Sequence, residues 1–447
     1  MSARPAGAPA TAPADPFALV RTRGYLVLLA MTAVLGVPIS AMAFGFLALV
    51  SELQSLTYTD LPEALGFDGT PDWWPLPLLA LCGLLVALTI RYLPGIGGHK
   101  PAEGLNTSGV PSAVELPGVL IAALATLGLG AVLGPEAPLI ALGGGLAVAA
   151  ARLAKRDLAP DAAAVVGVSG SFAAISTLLG SPLLGAFLLM EASGLAGARL
   201  GMVLVPGLLA AGIGSLIFTG LGSWTGLGTY SLTLQGIPHA SAPDIAGFGW
   251  ALVIGVAAGV VGVGIRRSAL FLQPRVERRM IPATVLAGVV VGLLALAYAE
   301  LTGKSASEIL YSGQDALSPL LDDRAQYSVG ALVVLVVCKS LAYGVSLSCF
   351  RGGPIFPSMF VGAAGGLALS HLPGLPTAAA FAMGIGAMCV AMLGLPMTAV
   401  LLATLLLGAD GLTVMPLVIV AVVVAYVVSL RLTPVPAAEP VPAAEPA

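Results

Sequence analysis

The sequence predicts an all-α polytopic membrane protein built from two similarly organised halves. Three observations carry this. Charged residues make up only 9% of 447, against about a quarter in an average soluble domain. Hydrophobic residues reach 58% and recur in runs too long and too numerous for one water-solvated core, so lipid must solvate the chain. A Gly-Pro-x-x-Pro motif, followed at the same offset by a further glycine, occurs twice. The formal net charge of −3, with no basic block, gives no electrostatic footprint for nucleic acid. Three histidines leave little material for a metal centre, and no metal site is expected.

Residues 1–20 are Ala/Pro-rich and lack the basic, apolar and small-residue order of a signal peptide, so they read as a disordered cytoplasmic tail. Residues 21–432 form the transmembrane domain. About fourteen apolar stretches begin near residues 25, 76, 111, 138, 162, 182, 199, 246, 282, 329, 355, 376, 396 and 413. A spanning helix needs about twenty residues, and several stretches are shorter. Pro396 to Leu407, for instance, gives way to Gly408, Asp410 and Gly411. Such pieces read as short, tilted or broken helices whose ends the protein itself must cover. The 57 glycines and 34 prolines agree with broken and tightly packed helices. Cys82, Cys338, Cys349 and Cys389 lie in or beside apolar stretches without a CxxC spacing and read as buried thiols. Residues 433–447 repeat the unit PVPAAEP and read as a second disordered tail.

Charge asymmetry orients the chain. Basic residues gather at Arg21 and Arg23, at Arg152, Lys155 and Arg156, at Arg266, Arg267, Arg275, Arg278 and Arg279, and at Arg431. Acidic residues dominate the loop with Asp60, Glu63, Asp68 and Asp72, next to Trp73 and Trp74. The positive-inside tendency puts both termini in the cytoplasm and this acidic loop outside the cell inner (plasma) membrane.

The repeat is the strongest internal signal. Gly134-Pro135-x-x-Pro138 with Gly143 reappears as Gly353-Pro354-x-x-Pro357 with Gly362. Ser181-Pro182-Leu183-Leu184-Gly185 follows the first copy and Leu395-Pro396-Met397-Thr398-Ala399 the second, each opening a short apolar segment. Two halves with one plan, about residues 76–220 and 282–432, are the pattern of inverted transporter repeats. A glycine and two prolines ahead of a short helix leave free N–H groups at a helix start, which is an anion site. Two such starts aimed at one point near the bilayer midplane would hold a small anion. Glu136 lies inside the first copy. A carboxylate in an apolar run costs several kcal/mol unless cavity, dipole or proton solvates it, so it reads as functional, the alternative being a cap on its own helix.

At these residues the chain resembles a known family. Gly134-Pro135-Glu136-Ala137-Pro138 is similar to the G-[KR]-E-G-P signature of CLC chloride channels and chloride/proton antiporters, and Gly352-Gly353-Pro354-Ile355-Phe356-Pro357 to their G-x-F-x-P filter. The resemblance runs in order from about residue 25 to 430. It takes in Ser181 to Glu191, Lys339 ahead of the second filter, and Leu395 to Thr398. It implies a CLC-type fold and a homodimer in the lipid bilayer with one anion pore per subunit. Chloride is the transported ion, protons are the second partner, and no cofactor is needed. It makes Glu136 the gating glutamate and puts Gly98, His99, Gly134, Ala137, Gly353, Ile355 and Phe356 at the anion.

Departures matter as much. The family's first filter segment reads G-S-G-I-P, whereas Gly97-Gly98-His99-Lys100-Pro101 has glycine at the serine position. His99 and Lys100 fall either at the inner pore mouth or in a solvated interfacial loop. Pro354 and Pro135 each remove a donor, leaving Ile355 and Phe356 in the second turn. The family's pore tyrosine has no counterpart, Tyr426 belonging to the last apolar run. Its internal proton-relay glutamate would align with Ala192, so Glu191 is either a displaced relay or a structural helix-end carboxylate. The leading expectation is therefore a chloride channel gated by Glu136 and sensitive to pH and voltage. The alternative is a chloride/proton antiporter, and after it a fluoride-type exchanger. An intramembrane enzyme is disfavoured because no HExxH, GxSxG or paired Asp motif accompanies the buried glutamate.

Overall fold

A computed structural model describes residues 21–105, 109–154, 156–194, 197–234 and 236–433. The two tails expected to be disordered and Lys155 lie outside the described residues, save residue 433. The described chain is all-α, its one β-contact an isolated antiparallel bridge between Gly134 and Gly353. The helices in order are α1 (Arg23–Ser55), α2 (Leu61–Ala64), α3 (Pro75–Tyr92), α4 (Leu116–Gly128), α5 (Glu136–Ala154), α6 (Pro160–Ala174), α7 (Pro182–Ser193) and α8 (Gly197–Thr225). There follow α9 (Ile245–Arg278), α10 (Met280–Thr302), α11 (Leu317–Asp322), α12 (Val329–Cys349), α13 (Ile355–Leu369), α14 (Thr377–Leu393), α15 (Pro396–Leu406) and α16 (Ala409–Leu432).

Eight of the helices among the described residues are long and apolar enough to cross a membrane, while α4, α7, α13, α14 and α15 are apolar but shorter. Local chemistry sets where they begin. Proline at the first helical position opens α3, α6, α7 and α15, where a missing N–H costs nothing. Side-chain caps open others: Asp244 accepts from the Gly247 N–H at 2.7 Å ahead of α9, and Ser328 from the Ala331 N–H at 3.1 Å ahead of α12.

The short helices α13 and α14 are buried along nearly their whole length against α12, α16 and one another. Their contact depends on small residues. A Cβ on Gly362 would overlap the backbone carbonyl of Gly384, and one on Gly366 that of Ala380, so the two backbones touch directly. This seats the start of α13 deep in the protein, where a helix terminus in lipid would be untenable. Gly365, on the same helix, has open space where its Cβ would be. Gly362→Ala therefore costs about 1–3 kcal/mol through overpacking, read as a lower thermal midpoint of the purified protein in detergent. Gly365→Ala leaves that midpoint unchanged or higher.

Candidate functional site

Two loops meet at the centre of the protein, one entering α5 and one entering α13. The Gly134 N–H donates to the Gly353 carbonyl at 2.8 Å, and the Gly353 N–H to the Gly134 carbonyl at 2.6 Å. Side chains reinforce the crossing: Ser346 Oγ accepts from the Val132 N–H at 3.1 Å, and Thr126 Oγ1 from the Arg351 N–H at 3.2 Å. A Cβ on either Gly134 or Gly353 would overlap the Glu136 carboxylate. Both glycines were expected at the anion, and the geometry gives them another use. Their N–H groups are spent on each other, and their lack of a side chain is what the site uses.

Glu136 is fully buried. Its Oε1 accepts from the Ile355 N–H at 2.5 Å, and the Phe356 N–H and its own N–H also face the carboxylate. The second oxygen, Oε2, is sealed from solvent without a partner. The carboxylate thus rests on the start of α13, where free N–H groups and the helix dipole favour negative charge by up to about 2 kcal/mol in a partly buried setting. Among the described residues no Lys, Arg or His lies within ion-pair distance of it. Tyr343, on α12, donates its hydroxyl to the Pro354 carbonyl at 2.7 Å and fixes the turn from behind. Sequence reading did not single out this tyrosine.

Cavities approach this point from two directions. One of about 560 Å³ is lined by Gln54, Tyr58, Asp72, Gln314 and Asp315. A smaller one of about 80 Å³ shares Gln54, Gln314 and Asp315 and reaches Pro135. A separate cavity of about 80 Å³ is lined by His99, Ala137, Ile140 and Ser171. Pro135 and Ala137, on either side of Glu136 in the chain, thus line two cavities that share no residue.

The loop between α3 and α4 approaches the second cavity. Gly95, Ile96, Gly97 and Gly98 all carry positive φ, at 82°, 49°, 71° and 102°. For Ile96, a β-branched residue, this is a strained conformation. Gly98, expected at the anion, donates its N–H to the Gly95 carbonyl at 3.1 Å and so closes its own turn. A serine would be strained at this φ. His99 lines the cavity that holds Ala137, with Nε2 2.9 Å from the Gly104 carbonyl. In this loop, outside the spanning helices, burial pushes its imidazole below the usual value. Lys100 pairs with Glu277 of α9 at 2.6 Å.

Glu191 is engaged elsewhere. Its carboxylate accepts from the Met397 N–H at 2.9 Å, the Thr398 N–H at 2.7 Å and the Thr398 hydroxyl at 2.6 Å. It caps α15 from α7, a structural use of the carboxylate. Lys339 is fully buried, its ammonium donating to the carbonyls of Glu308, Leu310 and Tyr311 at 3.1, 2.7 and 3.2 Å.

The sequence profile of a family described as "Voltage gated chloride channel" matches residues 82–430. A protein named for ion transport, YfeO, of Salmonella typhimurium is 30% identical over 374 residues, covering 80% of this chain and 84% of its own. Its Escherichia coli counterpart is 30% identical over 363 residues, covering 80% and 82%. Among solved structures, a slow cyanobacterial Cl−/H+ antiporter superposes with a TM-score of 0.71 at 19% identity, over 91% of this chain and 94% of that one. A CLC-type fluoride/proton antiporter superposes at 0.66 with 20% identity, over 92% and 97%. At these identities the superpositions establish a shared fold.

The cap on α15 carries a prediction. Removing it with Glu191→Ala costs about 0.5–2 kcal/mol, seen as a lower thermal midpoint in detergent, whereas Glu191→Asp recovers part of the loss if the shorter carboxylate still reaches Thr398.

Proposed function

The chain belongs to the voltage gated chloride channel family, and on that premise we propose that it is a CLC-type chloride transport protein gated by Glu136. The observation that carries the reading is the Glu136 carboxylate on the Ile355 N–H, at a buried helix start whose chain neighbours Pro135 and Ala137 line two separate cavities. Carboxylate and chloride are both anions for the same N–H groups, so occupancy by one excludes the other. Protonation removes the charge that holds the side chain there. The neutral acid swings off α13, and a chloride from either cavity takes the vacated donors of Ile355 and Phe356. Ala137 borders the inner route and His99 guards its mouth.

Of the two modes open to this fold, we favour a channel. Tight exchange needs an internal proton relay, and Glu191 is occupied in capping α15. The chloride/proton antiporter is the second reading, favoured by the likeness to a Cl−/H+ and a fluoride/proton antiporter. In either mode chloride and protons are the small partners. The protein works as a homodimer in the inner (plasma) membrane with both termini cytoplasmic and no further cofactor, and no chemical turnover is involved.

Proteoliposomes with a chloride gradient and clamped voltage test this. Chloride flux rises as pH falls in the wild type, because protonation frees the donors. In Glu136→Gln the side chain is permanently neutral, so flux stays near its acid maximum at every pH. Proton movement against its own gradient, driven by chloride, would establish the antiporter. Flux in Glu136→Gln that still climbs as steeply with acid would remove Glu136 as the gate. His99→Ala changes the profile only at the acid end, because burial keeps the ring neutral to lower pH than an exposed histidine.

A further inference from the structure

The cavity of about 560 Å³ is walled by two segments whose charge is of one sign. The segment between α2 and α3 brings Thr70 and Asp72, and the segment between α10 and α11 brings Ser305, Ser312 and Asp315. The smaller cavity that shares Asp315 also reaches Leu133 and Pro135, next to Glu136 in the chain. No Lys, Arg or His lines either one. Lys304, close by in sequence, lies over the Tyr327 ring, 4.4 Å from its centre. Hydroxyls and amides on these walls can solvate a small anion, whereas the two carboxylates repel it.

Asp315 is the better placed of the two carboxylates, because it lines both cavities and Asp72 only the wide one. The chain leading to it is fastened residue by residue. The Lys339 ammonium holds the carbonyls of Leu310 and Tyr311, and the Tyr311 N–H donates to the Gly130 carbonyl at 3.2 Å. A Cβ on Gly313 would overlap the Phe360 ring of α13. Gln314 donates its N–H to Ser312 Oγ and its side-chain amide to the Tyr230 carbonyl, both at 3.2 Å. The buried lysine thus has a use: it fixes the loop that presents Asp315.

The carboxylate itself is exposed to the cavity and has no hydrogen bond or ion pair among the described residues. Protein surrounds it on its other sides, and this burial raises its carboxyl above the usual aspartate range. Asp72, Tyr58, Tyr230 and Tyr311 are the other titratable groups on these walls, and none supplies a positive charge.

We propose that Asp315 is a charge filter on the approach to Glu136: ionised, it holds chloride off the cavity that reaches Pro135, and neutralised by a proton, it admits the anion. The inference deepens the transport reading above and rests on it. It divides the pH response between two carboxylates. Glu136 decides whether the donors of Ile355 and Phe356 are free, and so sets the maximum flux. Asp315 decides how much chloride gathers ahead of that gate, and so sets the half-saturating concentration from its own side. The repulsion is present above the pKa of Asp315 and lost as pH falls through it, at a higher pH than for an exposed aspartate.

The test uses the full chain in proteoliposomes of one orientation, with Glu136→Gln as the background so that the gate stays open. Half-saturating chloride and maximum flux are read separately from each side over a pH series. From the Asp315 side, half-saturating chloride falls about fivefold between neutral and acid pH. Adding Asp315→Asn makes it low at every pH, while Asp315→Glu keeps the slope. Maximum flux and half-saturation from the opposite side stay as they are. An impermeant salt narrows the difference that Asp315→Asn makes, because it screens the charge. A half-saturation that ignores Asp315→Asn overturns the filter, as does an equal change from both sides, which a loosened loop would give. Maximum flux in Glu136→Gln that climbs with acid removes the Glu136 gate and leaves the filter to stand or fall on half-saturation. No chloride flux in any of these proteins overturns both. Should Asp315→Asn not fold, the background alone decides: half-saturation from the Asp315 side that is flat in both pH and ionic strength rejects the filter.

Discussion

The Glu136 carboxylate can rest on the start of α13 only because two loops cross at Gly134 and Gly353 with no side chain on either. Two short hydrogen bonds hold the crossing, and both glycines are tight against the carboxylate. Every other feature of the centre follows from that closeness. The Ser346 and Thr126 hydroxyls tie the loops to α12 and α4, and Tyr343 holds the Pro354 carbonyl. The direct backbone contact of α13 with α14 keeps the helix start seated. Energetically the arrangement trades ordinary packing for polarity. A buried carboxylate is tolerable here because N–H groups at a helix start replace its water.

The fold then separates structural from usable polarity. Lys339 has every ammonium hydrogen matched by a carbonyl, and Glu191 is matched by donors at the start of α15. Such groups are closed. Glu136 Oε2, on one of the loops that cross, is left without a partner, as are the Gln273 amide oxygen and the hydroxyls of Ser176, Thr177 and Ser340 elsewhere. In a protein interior an unmatched polar atom is expensive, and at Glu136 the unmatched oxygen belongs to the proposed gate.

Much of this was legible in the sequence for simple physical reasons. Apolar runs with 9% charge leave no solvent but lipid, and the paired Gly-Pro-x-x-Pro motifs mark two interrupted helix starts. Glu136 stood out because a carboxylate between two prolines in an apolar run has few inexpensive explanations. What spacing does not report is pairing across the chain. That Gly134 bonds Gly353, that Glu191 reaches Thr398, and that Tyr343 backs Pro354 depend on contacts between distant segments. The role of Gly98 likewise depends on its φ of 102°, which a residue type permits but does not announce.

The crossing at Gly134 and Gly353 also constrains how such a chain can diverge. Each loop is the template for the other, so an insertion or deletion in one shifts the register of both and carries Glu136 off its seat. Substitutions on the lipid-facing sides of the helices meet no such test. Divergence is then free at the periphery and coupled at the centre, where a length change in one loop survives only with a matching change more than two hundred residues away in the sequence.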